Sequence, residues 1–155
     1  YLVGQITSNP ETYEWRDRVT EYFKNNKKIF VINPCGSEWN KQLLTDSKNK
    51  ENKFSKWATQ GASALLVPKD RNYVKKADCI FADLNIYSTD RPILGSFFEL
   101  AWAYDQTWTM VIGIVKGDRN KVFHCIHPFV DQSVHTWVQD EMEACKLLTD
   151  YMDYE

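Results

Sequence analysis

Short, mostly apolar segments that alternate with helical patterns constrain the fold of this chain more than any other feature. They are YLV (1–3), KIFVI (28–32), DCIFADL (78–84) and MVIGIV (110–115). Strands that are apolar throughout and separated by helices are typical of a parallel sheet that is covered on both faces. The sequence therefore predicts one α/β domain, a three-layer sandwich around a mostly parallel sheet.

The segments between these strands have helical spacing. NPET (9–12) provides a start signal for the first helix, because Asn caps helices well and Pro is tolerated at the first position. The apolar residues that follow share one face: Trp15, Val19, Tyr22 and Phe23. Further helices are predicted over 70–77, 95–106 and 138–152. The last of these has an apolar face made of Val138, Met142, Cys145 and Leu148. A long polar segment over 34–60 is typical of a functional or partly disordered loop.

The composition fits a single domain over residues 1–155, with 43% hydrophobic residues to build a core. Nineteen basic and twenty-one acidic side chains give a net charge of −2, which argues against a non-specific binder of nucleic acid or of membrane surfaces. Four cysteines show no paired spacing and predict no disulfide framework, so we expect a reducing, cytoplasmic location. No apolar run approaches the ~20 residues of a membrane span.

One carboxylate stands in an otherwise apolar helical segment, GSFFELAWAYDQ (95–106). Burying a lone carboxylate is unfavourable unless something compensates for the lost hydration. Ser96 and Glu99 fit the S-x-x-E capping box, in which Glu99 would accept a hydrogen bond from the Ser96 N–H. Alternatively, Glu99 is an ionised, partly desolvated carboxylate in the first helical turn, where the macrodipole favours its charge and it can serve as a nucleophile. The two interpretations are compatible.

Other candidate residues lie near the predicted carboxyl ends of the strands, where open parallel sheets bind ligands. Asp83 is near the end of its strand and either contacts a ligand or is structural. Asp70 either caps the helix that follows it or takes part in chemistry. The three histidines show no nucleophile or metal-ligand pattern, so we expect no metal centre. Gly4 and Gln5 are not followed by a G-x-G-x-x-G fingerprint, and no cofactor is expected.

Three segments, taken in order, resemble the nucleoside 2-deoxyribosyltransferase family, which includes the nucleoside 5′-monophosphate N-glycosidases. They are YLVGQIT (1–7), KDRNYVKKADCIFADL (69–84) and GSFFELAWAYDQTWTMVIGI (95–114). The family pattern has a strand ending in Y-L/F-x-G, then an acid before I/V-x-x-A-D and a strand, then G-[TS]-x-x-E-L-G-x-A before a closing strand. This chain has ELAWAY in place of the usual ELGYA. The similarity covers residues 1–7 and 67–115 and implies a flavodoxin-like or Rossmann-like sheet.

The resemblance also implies a covalent mechanism that needs no cofactor. Glu99 would attack C1′ of the sugar, Asp70 would handle protons on the departing and incoming base, and the Tyr1 hydroxyl would orient Glu99. Substrate contacts are expected at Gly4, Gln5, Asp83, Gly95 and Ser96. Family active sites are commonly completed by a second subunit, so a homodimer or larger homo-oligomer is implied.

Two departures from the family pattern bear on the substrate. Members that act on 5′-monophosphates often have Ser in the turn before the helix and Arg in the first loop, whereas this chain has Ile93 and Thr7 there. Arg91, Arg16 or a neighbouring subunit could supply positive charge instead.

Three functions stay open on the sequence. The leading hypothesis is a nucleoside 2′-deoxyribosyltransferase, which moves 2-deoxyribose between nucleobases through a glycosyl-Glu99 intermediate. The second is an N-glycosidase that hydrolyses a (deoxy)nucleoside 5′-monophosphate. The third is a non-catalytic module that binds a nucleotide. The expected partners are a small nucleoside or nucleotide and a free nucleobase, and neither a nucleic acid nor a membrane.

Overall fold

A computed structural model of the chain describes residues 1–36 and 62–154. Its elements follow in the order β1 (Leu2–Gly4), α1 (Glu11–Phe23), α2 (Ala62–Lys76), β2 (Cys79–Asp83), α3 (Leu94–Tyr104), β3 (Met110–Ile114), α4 (Pro128–Asp131), β4 (Thr136–Val138) and α5 (Glu141–Asp153). Two short 3₁₀ turns, Arg119–Lys121 and Phe123–Cys125, lie between β3 and α4. From residue 37 to residue 60, the predicted polar loop lies outside the described residues.

The strands form one sheet in the order β1-β2-β3-β4, and every neighbouring pair is parallel. The register pairs Leu2 with Phe81, and Phe81 with Ile112. All carboxyl ends therefore point the same way, and β1 forms one edge of the described sheet. The prediction of an α/β domain with a mostly parallel sheet is confirmed.

Apolar side chains cover both faces of the sheet, because successive strand residues point to opposite sides. On one face α1 and α5 pack on the strands through Trp15, Val19 and Cys145, against Leu2 and Phe81. On the other face the core residues of the helices and strands are Val74, Leu100, Ala103, Tyr1, Val3 and Ile80. This gives the three layers that the sequence predicts, with α2 and α3 on the side that carries Tyr1.

The prediction of a strand over 28–32 is wrong, since this segment forms no regular element. It lies beside β1, where the Leu2 N–H donates to the Ile32 carbonyl at 3.2 Å. In a parallel ladder the next bond would need an N–H at position 34. Pro34 has none, so the pairing stops.

Three smaller differences concern a short strand, the start of a helix and two exposed side chains. β4 was not predicted, because its three residues are too few for a periodic signal, and Val138 belongs to it and not to the last helix. The helix predicted over 70–77 begins at Ala62 and contains Pro68. Two residues assigned to buried helix faces, Tyr22 and Met142, are exposed.

No helix in the described parts of the chain is long and apolar enough to cross a membrane.

Candidate functional site

A cavity of about 690 Å³ lies at the β1 edge of the sheet, bordered by α2, α3 and the loops after β1 and β2. Its polar lining includes Tyr1, Gln5, Arg16, Asp70, Arg91, Ser96 and Glu99. Its apolar lining includes Ile6, Leu66, Val67, Ile93, Phe98 and Trp102. Apolar and aromatic walls with a few convergent polar groups are typical of sites for small molecules.

Glu99 is a half-buried carboxylate in the second turn of α3. The helix begins at Leu94 and Ser96 lies inside it, with no side-chain cap at its N-terminus. The capping-box interpretation and the placement in the first turn are therefore wrong, and the macrodipole acts only weakly at this position. Burial raises the pKa of Glu99 to about 7, against the opposing effect of a hydrogen bond from Tyr1. The group is thus poised between its two protonation states at neutral pH.

Tyr1, the residue directly before β1, holds Glu99 in place. Its hydroxyl donates a hydrogen bond of 2.6 Å to Oε1 of Glu99, and its side chain is buried. Burial, with the nearby Glu99 charge, raises the pKa of the Tyr1 hydroxyl far above its usual range. The hydroxyl therefore stays protonated and remains a donor at any working pH.

Asp70 is the ninth residue of α2, so the prediction that it could cap this helix is wrong. Its Oδ1 atom is buried and has no hydrogen-bond partner among residues 1–36 and 62–154, and Lys69 Nζ lies 3.7 Å from that atom. Burial raises the pKa of the Asp70 carboxyl, and the Lys69 charge opposes that shift. An unpartnered carboxylate oxygen on the cavity wall is an acceptor or donor that a ligand can satisfy.

Arg16 places a buried guanidinium group on the same cavity. Its Nη2 atom donates to the Gly4 carbonyl at 2.9 Å and its Nη1 atom donates to the Thr12 carbonyl. Within the described part of the chain, its Nε atom has no hydrogen-bond partner and no carboxylate lies within 4.0 Å of the guanidinium group. A buried cation without a counter-ion is unfavourable, so Arg16 gives this part of the cavity a positive character.

Gly4 leaves little space for a side chain in this arrangement. A Cβ atom at that position would lie 3.1 Å from the Asp83 carbonyl oxygen and 3.2 Å from both Arg16 Nη2 and the Trp15 ring. Gly4 lines the cavity through its backbone.

Gln5 lines the cavity, but its side-chain amide is used within the protein. Its Nε2 donates to the carbonyls of Ser88 and Arg91, at 2.7 and 2.5 Å. Its Oε1 accepts from the backbone N–H groups of Tyr87 and Ser88, at 2.8 and 3.0 Å. Gln5 therefore fixes the loop after β2, which carries Arg91 and Ile93 to the cavity wall.

Asp83 does not line the cavity. Its carboxylate accepts hydrogen bonds from the Tyr87 hydroxyl at 2.7 Å and from the Asn85 side chain at 2.6 Å. Burial raises its pKa, and these hydrogen bonds oppose the shift. The alternative of a structural role, left open by the sequence, fits this position.

Gly95 and Ser96 both lie in the first turn of α3 on the cavity wall. Ser96 is buried, whereas a Cβ at Gly95 would meet no atom within 4 Å. The open space at Gly95 lets a ligand approach the backbone of the helix.

The remaining nucleophiles and potential metal ligands have structural surroundings. The histidine rings bond to backbone groups: His124 to the Leu84 carbonyl, His127 to the Phe129 N–H and His135 to the Val111 N–H. Burial raises the pKa of all four cysteine thiols, which disfavours reactive thiolates. Within residues 1–36 and 62–154, no three metal-ligating side chains cluster.

Sequence reasoning placed Tyr1, Asp70 and Glu99 among the candidate residues, and the fold brings these three to one cavity. It named Arg16 only as a possible source of charge, although a signal was present. Arg16 lies on the buried face of α1, four residues after Thr12 and three before Val19, both of which are buried. A cation on the apolar face of a helix indicates an internal partner or a ligand.

The described residues thus form an α/β fold with one cavity on whose wall Glu99 and Asp70 both lie. Comparison of the chain with models of known protein families and with curated proteins gives no match.

Proposed function

We propose that this protein is a nucleoside 2′-deoxyribosyltransferase that uses Glu99 as its nucleophile. The observation that supports this best is the Glu99 carboxylate, half-buried in the cavity and held by the Tyr1 hydroxyl at 2.6 Å. Asp70 faces the same cavity with an unpartnered carboxylate oxygen. Two carboxyl groups with raised pKa values in one apolar cavity fit nucleophilic catalysis with separate proton transfer.

The proposed reaction has two displacements at the same carbon. In the first, a Glu99 oxygen forms a bond to C1′ while the bond from C1′ to the base nitrogen breaks, and the electron pair stays on the base. Protonated Asp70 gives its proton to that base. In the second, a nitrogen of the acceptor base attacks C1′, its proton passes to the Asp70 carboxylate, and Glu99 is released as a carboxylate. Both steps pass through an oxocarbenium-like state, which the nearby carboxylate stabilises.

The test is to incubate the protein with each 2′-deoxynucleoside, with and without a different free base, and to follow the products by chromatography. A new deoxynucleoside that forms only with the acceptor supports transfer. Acid-quenched enzyme should carry the added mass of one deoxyribosyl group, and Glu99→Gln should carry none. The exposed Glu14→Gln is the matched control and should retain activity.

Loss of the carboxylate at position 99 should reduce turnover by at least roughly a thousandfold, as expected for a nucleophile. Unaltered activity in a folded Glu99→Ala protein would exclude the proposed mechanism. Ligand binding without any bond cleavage would indicate the non-catalytic module.

Hydrolysis of a nucleoside 5′-monophosphate is a second candidate, favoured by the charges of the cavity. Arg16 and Arg91 both line it, and the charges of both act on the nearby Tyr13 hydroxyl. A phosphate group on the substrate would interact favourably with these two guanidinium groups.

The two candidates differ in how they use Arg91. If the substrate is a monophosphate, Arg91→Met should lower kcat/KM for the nucleotide and leave that for the nucleoside nearly unchanged. Arg71→Met, an exposed change of the same charge, serves as the control. Base release that is unaffected by an added acceptor base would favour hydrolysis over transfer.

A further inference from the structure

Among the described residues, Lys69 is the cation that forms an ion pair with Asp70. The Lys69 ammonium lies 3.7 Å from Oδ1 of Asp70, and the two side chains are 31% and 20% exposed. This distance is too long for a hydrogen bond but close enough for a strong charge interaction in a partly buried site. Oδ1 accepts no hydrogen bond from the residues that the structure describes, so it is available to a ligand that also experiences the positive charge.

Ring contacts connect Lys69 to the other carboxylate. Lys69 Nζ lies 5.9 Å from the centre of the Tyr73 ring, within the range of a cation–π interaction. The Tyr73 ring is 6.0 Å from the ring of Tyr1, and the Tyr1 hydroxyl contacts Glu99. Tyr73 thus contacts both Lys69 and the tyrosine that is hydrogen-bonded to Glu99.

The other groups around Asp70 do not offer a comparable charge. Glu99 on α3 is a second carboxylate, whose pKa the Asp70 charge raises. The Tyr1 hydroxyl and the Cys35 thiol, which also feel the Asp70 charge, are neutral when protonated. Arg16 on α1 acts on Glu99 and donates to backbone carbonyls. Among the described residues, Lys69 is the cation whose charge acts on Asp70.

We propose that Lys69 is a positioning residue for the proton transfers of Asp70: its ammonium group stabilises the carboxylate that Asp70 becomes after it protonates the departing base. This inference rests on the proposed glycosyl transfer. In the first displacement the proton moves from Asp70 to the base, which leaves a negative charge 3.7 Å from the lysine. In the second, the incoming base returns a proton and the charge disappears. Lys69 therefore sets how easily Asp70 gives up its proton.

The first measurement needs no turnover. The carboxyl carbon of Asp70 is followed by NMR as a function of pH in wild type, Lys69→Met and Lys69→Arg. Loss of the positive charge should raise the pKa of Asp70 by roughly 0.5–1 unit, as expected for a partly exposed ion pair. Lys69→Arg should keep the wild-type titration. Lys76→Met, an exposed lysine on the same helix, should also leave it unchanged.

The second measurement is the pH dependence of kcat. In Lys69→Met the release of the first base should slow by about three- to tenfold, the factor that corresponds to such a shift, with little change in KM. Lys69→Arg should restore the rate, because it keeps the positive charge. A merely structural role of the aliphatic stem would not explain this recovery. An Asp70 titration that stays the same in Lys69→Met, or that moves equally in Lys76→Met, overturns the inference. A shifted titration in a protein that cleaves no nucleoside or nucleotide supports the charge assignment and overturns the proposed function.

Discussion

Tyr1 and Glu99 are 98 positions apart in the chain, yet the hydroxyl of one lies 2.6 Å from a carboxylate oxygen of the other. The tyrosine directly precedes β1 and the second turn of α3 carries the glutamate, so the sheet and the helix together determine the distance. A donor that is always protonated favours the ionised form of the acid that it contacts. The contact therefore controls the fraction of Glu99 that is ionised near neutral pH.

This relationship predicts the effect of Tyr1→Phe on the pH profile. In the wild type, the acidic limb of the kcat/KM profile should have its midpoint near pH 7, because burial raises the pKa of Glu99 to about 7 and the ionised form is the nucleophile. Tyr1→Phe removes a hydrogen bond that stabilises the carboxylate, so the acidic limb should move to higher pH by about 1 unit. Tyr73→Phe keeps the Glu99 contact and should leave the limb in place. Coincident limbs in wild type and Tyr1→Phe would contradict this role of the hydroxyl.

Glu99→Gln predicts a change in stability with a definite sign. The pKa of Glu99 is higher in the folded state, about 7, than its ordinary value of 4.5, so the folded protein binds the proton more tightly. That contribution is fully present below about pH 4.5 and is lost as pH rises through 7. At pH 8 the ionised carboxylate should make the wild type less stable than Glu99→Gln by up to about 3 kcal/mol.

Urea unfolding of both proteins between pH 5 and pH 8 measures this difference. The gap between the two free energies of unfolding should widen with pH, because glutamine does not titrate. The same pH dependence in both proteins would mean that Glu99 is not perturbed. Such an outcome would also remove a main argument for its use as a nucleophile near neutral pH.

Two glycines on the cavity wall form a matched pair. Gly4→Ala would place a methyl group 3.1 Å from a backbone oxygen and 3.2 Å from Arg16 and Trp15, and overpacking of this kind destabilises by roughly 1–3 kcal/mol. Gly95→Ala meets no atom within 4 Å and replaces a helical glycine, so it should stabilise by up to about 1 kcal/mol.

The same pair tests whether a ligand uses the open face of α3. Gly95→Ala should raise KM while stability is kept, because the methyl group enters the space next to the helix backbone. Urea denaturation and steady-state kinetics of both variants provide the two readings. An unchanged KM in Gly95→Ala would mean that the substrate does not reach this turn.

The sequence predicted the parts of the fold whose signal is local. β2, β3 and α3 are mostly apolar segments with clear ends, and each was expected within a few residues of its position. The segment 28–32 has the same apolar signal but forms no strand. The decisive feature there is Pro34 beside a strand of three residues, an effect of tertiary pairing that periodicity does not contain.

The site residues show the same difference between local signals and tertiary contacts. Asp70 and Glu99 could be named from their residue type and their spacing to apolar runs. The partners of Gln5 could not, because its amide bonds to Tyr87, Ser88 and Arg91, more than eighty positions away. From the sequence alone, Gln5 in the loop after β1 could equally contact a ligand or hold another loop in place.

Gln5→Glu is therefore the sharpest test of how the cavity wall is built. The substitution keeps the size of the side chain but places a carboxylate oxygen against the Ser88 and Arg91 carbonyls, which now receive hydrogen bonds of 2.7 and 2.5 Å. The loss of two buried donors and the repulsion should destabilise the protein by roughly 2–4 kcal/mol and raise KM.

Gln106→Glu is the matched control, since its amide makes longer bonds of 3.4 and 3.2 Å outside the cavity. Urea denaturation should show a much smaller loss for Gln106→Glu, and its KM should stay at the wild-type value. The contrary outcome is a Gln5→Glu protein that binds substrate normally and is no less stable than that control. Other contacts would then hold the loop after β2, and the Gln5 side chain would be free to contact the ligand.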